Sequence, residues 1–206
     1  MLVVPTLTRH DLLDRMLGSI DYPVGHLVVI DNSGTLTLDR EGPWEALTVL
    51  RMPVNFGVAA SWNLALRMGH RHDWVMIGSD DIEFQPDTLG RWADMSSEDT
   101  LLVSETWPHW CAFTIGMGIV QQIGMFDEGF FPAYYEDTDY ERRCHRAGVQ
   151  LRHGPRVSHR NSSTLNTEGA RFPGSNNRSF RENGILFAED RYHGFDPFRW
   201  RNQAWT

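Results

Sequence analysis

The chain has 206 residues, 41% of them hydrophobic and 12% aromatic, with a formal net charge of −8. That length holds one well-filled core, the composition excludes a disordered chain, and the acidic balance argues against nonspecific nucleic-acid binding, which draws on many Lys and Arg contacts to phosphates. All 19 basic residues are Arg, so a Lys-bearing phosphate loop, a Schiff-base enzyme and a Lys-dependent kinase are excluded.

The apolar run Leu2-Val3-Val4 predicts a first strand. Thr8, with Asp11 three residues on, has the pattern of a capping box and predicts a helix carrying Leu12, Leu13, Met16, Leu17 and Ile20 on one face. Gly18 to Pro23 ends it, and Leu27-Val28-Val29-Ile30 predicts the next strand, a βαβ opening.

Leu47 to Leu50 predicts a third strand, residues 58–69 a helix with Val58, Trp62 and Leu66 turned to the core, and Trp74 to Ile77 a further strand. Pro86-Asp87 opens another helix with Leu89, Trp92, Ala93 and Met95. Alternation of this kind implies an α/β protein with a Rossmann-like, doubly wound, mostly parallel sheet in a single domain. Residues 101–135 read as strands and loops, and a helix is expected from about Asp137 to Ala147, stopped by Gly148. The polar segment Asn166 to Asn183 reads as a loop or acceptor-binding arm, so the division is a domain over 1–165 and a C-terminal arm over 166–206.

No apolar run approaches the roughly 18–20 residues that span a bilayer, and the first residues lack a basic leader. Cys111 and Cys144 have neither a disulfide framework nor zinc-ligand spacing and read as buried thiols, in keeping with a reducing cytoplasm. Trp200 and Trp205 are apolar for a tail and are expected to pack on the core or on a second copy in a homo-oligomer.

Asp31 directly follows the strand Leu27 to Ile30, and Asp80 and Asp81 follow Trp74 to Ile77. Both acidic sites therefore stand at carboxyl ends of strands, where open α/β sheets bind ligands. Asp31-Asn32-Ser33-Gly34 is also good turn chemistry. Carboxylates cannot hold an anionic diphosphate directly, but they can hold it through Mg²⁺ or Mn²⁺, which take oxygen ligands.

Four segments carry a likeness: Val28 to Gly34; Asn55-Phe56-Gly57 through Asn63; Ile77 to Phe84; and Gly124-Met125-Phe126-Asp127-Glu128 running into Tyr135-Glu136-Asp137-Thr138-Asp139. Over roughly residues 2–165 the chain resembles the family 2 glycosyltransferases of the GT-A fold, near their rhamnosyltransferase and galactofuranosyltransferase-like members. The resemblance implies an inverting transfer of sugar from a nucleotide diphosphate donor, UDP- or dTDP-linked, to a hydroxyl of a glycan, lipid, protein or small molecule.

It also assigns roles. Asp31 contacts the base or ribose, with Thr6, Asn55, Gly57, Asn63 and Asp80 as further donor contacts; Asn55 also suits a helix cap, and Gly57 lets backbone approach the donor. Asp81 and His159 hold Mn²⁺ or Mg²⁺, while Ser79 stands where many relatives have Asp. Asp137, paired with Glu136, is the catalytic base, although helix starts favour acids in any case. Arg156 or Arg160 assists the leaving diphosphate. Trp110, with Trp107 and Phe130-Phe131 behind it, is the candidate for stacking on an acceptor sugar. The competing reading is a noncatalytic nucleotide-sugar or glycan-binding module.

Overall fold

The computed structural model describes residues 1–159 and 173–190. Its centre is a seven-stranded sheet of β1 (Leu2–Thr6), β2 (Val24–Asp31), β3 (Trp44–Arg51), β4 (Trp74–Gly78), β6 (Leu101–Ser104), β7 (Ala112–Gly116) and β8 (Arg152–Gly154), in the order β3-β2-β1-β4-β7-β6-β8. β5 (Ile82–Phe84) and β9 (Val157–His159) form a separate antiparallel ribbon.

Pairing is parallel from β3 through β4 and between β6 and β8; β7 alone runs against its neighbours. The chain lays down β1, β2 and β3 outward in one direction, then returns to place β4 on the other side of β1. That reversal opens a crevice outside the carboxyl ends of β1 and β4.

Period-two alternation divides the strand residues between two cores. Leu2, Val4, Leu27 and Val29 meet Leu13, Met16 and Leu17 of α1 (His10–Gly18) and Leu89 and Trp92 of α3 (Thr88–Met95). Val3, Val28, Ile30 and Ile77 meet Trp62 and Leu66 of α2 (Val58–Met68), Ile119 of α4 (Met117–Ile123), and Tyr140 and Cys144 of α5 (Glu136–Arg146). Both faces are covered, as a mostly parallel sheet requires.

The capping box expected at Thr8 does not form. Arg9 occupies the cap position of α1 without a side-chain cap, because Asp11 is taken by the Arg9 guanidinium. α4 lies inside a segment expected to hold only strands and loops. Cys111 and Cys144 are buried free thiols, each pushed up to about 12 by desolvation.

The polar segment expected to be a loop also differs. From Pro173 to Ala188 it is a helix, α6, which docks on α5 through Arg142 Nη1 to the Phe187 carbonyl at 2.8 Å and the paired Arg146–Asp190 contacts. Arg160, and residues 166–172 and 191–206 of the arm with Trp200 and Trp205, lie outside the described residues. Among the described residues, no helix is long and apolar enough to cross a membrane.

Candidate functional site

The crevice between β1 and β4 is a pocket. Its floor is Pro5, Thr6 and Leu7 at the end of β1 and Ser79, Asp80 and Asp81 after β4; Asn32, Asn55, Gly57, Val58, Ser61, Trp62, Pro132 and Ala133 complete the wall. Among the described residues, no Lys or Arg belongs to this lining.

Thr6 Oγ1 donates to Asp80 Oδ2 at 2.7 Å, a bond that bridges the two strand ends. Burial pushes the Asp80 carboxyl up to about 7, against the Thr6 hydrogen bond, which favours the anion; the charge of Asp81 raises it further and that of Arg9 opposes. The Ser79 amide is held by the Cys111 carbonyl at 2.7 Å.

Asp81 is 3% exposed. Its Oδ2 stands 3.2 Å from His159 Nε2, the two being brought together by the β5–β9 register, which pairs Ile82 with His159. This buried oxygen takes no hydrogen bond. An orphaned carboxylate oxygen beside an imidazole nitrogen is a donor pair that a divalent cation fits. It is a pair only: among the described residues no three His, Cys, Asp or Glu side chains converge as a metal site.

Asp31 does not reach the pocket. Fully buried, it accepts from the Ser33 amide and hydroxyl at 2.9 and 2.6 Å and from the Leu36 amide at 2.8 Å, so both oxygens are spent on its own turn. The neighbour Asn32 lines the pocket instead, its amide bonded to Ser61 Oγ at 3.0 Å and its carbonyl accepting from the Phe56 amide at 3.0 Å.

Asn55 lines the wall and accepts from the Gly57 amide at 2.9 Å; the cap position of α2 falls on Gly57, not Asn55. Gly57 has φ 81°, and a Cβ there would stand 2.8 Å from the Pro132 carbonyl oxygen. The glycine is thus required by its backbone conformation and by the crossing 131–133 segment. Asn63 is not a donor contact either: 1% exposed, it exchanges hydrogen bonds with Phe126 at 2.9 Å in both directions and reaches Glu128 at 2.8 Å, tying α2 to that segment.

Glu136 and Asp137 open α5, three and four residues beyond the Pro132–Ala133 wall, without lining the pocket themselves. Glu136 is buried, its Oε2 has no partner, and burial, with the Asp137 charge second, raises its carboxyl well above the usual range. Asp137 is half-buried and uses only Oδ1, which accepts from the Thr138 amide at 2.6 Å and hydroxyl at 3.1 Å. Asp139 is spent on Arg142 and Arg143.

Trp110 is a core residue. It stacks on Trp62 at 6.1 Å, meets Phe113, Phe126 and Tyr140 edge-on, and donates Nε1 to Glu141 at 2.6 Å. Phe130 and Phe131 are likewise buried, whereas Trp107 is 78% exposed. Arg156 is exposed and paired with Glu105, away from the pocket lining. The sequence reading missed Asn32, Ser61 and Asn183. For Asn183 a signal existed, since Phe180, Asn183, Gly184 and Phe187 fall at i, i+3, i+4 and i+7.

No protein-family model matches the chain, and no curated protein matches it in sequence. Solved structures do match in fold. The mannosyltransferase PcManGT from Pyrobaculum calidifontis, in complex with GDP-Man and Mn²⁺, superposes with a TM-score of 0.57 at 18% identity, over 75% of this chain and 54% of that one. S. aureus TarS gives 0.57 at 14% identity, over 76% and 35%. Drosophila beta1,4galactosyltransferase 7 in complex with xylobiose gives 0.51 at 14% identity, over 74% and 63%. The chain therefore has the GT-A fold of these glycosyltransferases, and it spans less than two thirds of the length of each.

Proposed function

We propose that the chain is an inverting, metal-dependent glycosyltransferase that moves a sugar from a UDP- or dTDP-linked donor to an acceptor hydroxyl. The observation that carries this reading is the acidic crevice at the strand reversal: Asp80 and Asp81 face a pocket whose lining, among the described residues, holds no basic side chain, and a buried Asp81 oxygen without a hydrogen bond stands 3.2 Å from His159 Nε2. Such a pocket repels a bare diphosphate and accepts one only with a cation. Mg²⁺ and Mn²⁺ are held in this manner, by one or two protein groups together with substrate phosphates.

Asp81 and His159 would hold the cation, which supplies charge stabilisation to the departing diphosphate. Asn32 and Asn55 present amides to the nucleoside, and Asp31 supports them by fixing the Asn32 turn. Asp137 Oδ2 takes the proton of the acceptor hydroxyl as its oxygen bonds to the anomeric carbon. The bond from that carbon to the phosphate oxygen breaks, and its electron pair leaves with the nucleoside diphosphate. The N-terminus of α5 favours the anionic base, while burial raises the neighbouring Glu136 carboxyl well above its usual range.

A noncatalytic nucleotide-sugar-binding module is the second reading, in which Asp81 and His159, the two candidate ligands that converge among the described residues, hold a cation for binding alone. Calorimetry with UDP, dTDP and GDP, each with and without Mn²⁺, tests the donor and metal roles. Wild type is expected to bind a nucleotide only with Mn²⁺, and Asp81→Ala to lose that dependence; equal affinity in all conditions rejects the assignment. Metal-dependent hydrolysis of the matching donor without acceptor separates the enzyme from the binder.

A further inference from the structure

We propose that Asn183, on the C-terminal helix α6, is a positioning residue for this site, acting through the 131–135 segment; its catalytic consequence rests on the transferase reading. Asn183 is fully buried. Its side-chain nitrogen faces three main-chain carbonyls, those of Ala133 at 2.9 Å, Tyr134 at 3.1 Å and Phe131 at 3.4 Å. One amide group has two hydrogens to give, so it is shared across the three carbonyls of the turn.

The segment needs such a hold. Tyr134 and Tyr135 both sit at positive φ, 81° and 74°, a region that side chains of this size rarely adopt and that persists only where the surroundings fix it. α6 provides the rest of the fixture. The Tyr135 ring lies 5.2 Å from Phe180 and 5.4 Å from Phe187, and at Gly184 a Cβ would come within 3.1 Å of the Tyr135 hydroxyl. Asn183, Phe180, Gly184 and Phe187 form one helical face closed over the turn.

Two parts of the site depend on that turn. Upstream, Pro132 and Ala133 wall the pocket, and the Pro132 carbonyl accepts from the Val58 amide at 2.7 Å at the start of α2. Downstream, Tyr135 is the cap residue of α5, its carbonyl accepting from the Asp139 amide at 2.8 Å, so it aims the first turn that carries Glu136 and Asp137. Pocket shape and base direction thus share one support, contributed by a helix that lies outside the sheet.

The test compares Asn183→Asp, which keeps the shape and removes both donors, with Asn183→Ala, and with Arg181→Ala on the exposed side of α6 as control. Amide hydrogen exchange over residues 131–137 is expected to quicken about tenfold or more in both Asn183 variants, with β1 and β4 unchanged. Affinity for whichever of UDP, dTDP or GDP binds wild type with Mn²⁺ is expected to fall about tenfold, one such factor corresponding to the loss of a well-made hydrogen bond. Unchanged exchange in 131–137, or a uniform rise across the chain, overturns the proposal, as does quickened local exchange with wild-type nucleotide affinity. If wild type binds none of the three nucleotides, the transferase reading fails and the exchange pattern alone decides whether Asn183 holds the turn. Should both Asn183 variants fail to fold, Gly184→Ala, which presses on Tyr135 from the same face, is read by the same two measurements.

Discussion

Thr6 and Asp80 are joined by a 2.7 Å hydrogen bond across the mouth of the sheet reversal, from the last residue of β1 to the acidic turn after β4. Thr6→Val keeps the shape and removes the donor. Leaving this half-buried carboxylate without the bond is expected to cost about 1–3 kcal/mol in a denaturant melt. Since the Asp80 carboxyl titrates at about 7, the cost should be larger at pH about 8, where it is charged, than at pH about 5.5. An equal loss at both values would show that the bond does not serve the carboxylate.

Asp137→Asn separates the base from a first-turn hydrogen-bond acceptor. Asn retains the size and most hydrogen bonds but cannot take a proton, so sugar transfer should fall by about 10²-fold or more while donor affinity and melting temperature hold. Asn is nearly as good as Asp at a helix start. Transfer at the wild-type rate would remove Asp137 from the mechanism.

Glu136→Gln carries a pH signature. Burial lifts the folded-state value of this carboxyl well above the unfolded 4.5, so the stability it permits is complete below about 4.5 and is lost as pH climbs toward the folded value. Gln cannot ionise. The melting temperature of the variant minus that of wild type should therefore grow between about pH 5 and pH 8, and a constant difference would mean that Glu136 is already charged in the fold.

Trp110→Ala should destabilise by about 3–5 kcal/mol, the range for emptying a buried aromatic site, because the ring is shared with Trp62, Phe113, Phe126 and Tyr140. An acceptor platform would behave otherwise, with unchanged melting and a raised KM for acceptor.

The alternation of strands and helices was legible because period-two and helical spacings are local, and β1, β2, β4 and the helices from Leu12 and Val58 follow them. The acidic turn after β4 was legible for the same reason: a carboxylate next to an apolar run marks a strand end. Asp31 has that signature too, but which way its side chain turns depends on Ser33 and Leu36 closing around it, which no spacing encodes. Asn63 and Trp110 were misread because burial is decided by partners far along the chain, Phe126 and Glu128 for one and Glu141 for the other. α6 was hidden by its polarity. A helix that satisfies carbonyls rather than filling a core needs an amide at its centre, and Asn183 lowers the apolar signal on which helix recognition relies.

The pocket wall described above draws on residues 5–7, 32, 55, 57–58, 61–62, 79–81 and 132–133, so no short stretch of the chain contains a working fraction of it. Such a site has no local precursor during folding: closing Thr6 onto Asp80 and Gly57 against Pro132 requires the strands and helices between them to be brought together first. Ligand affinity and global structure should accordingly vanish together in urea, and circular permutants that keep every contact should recover both.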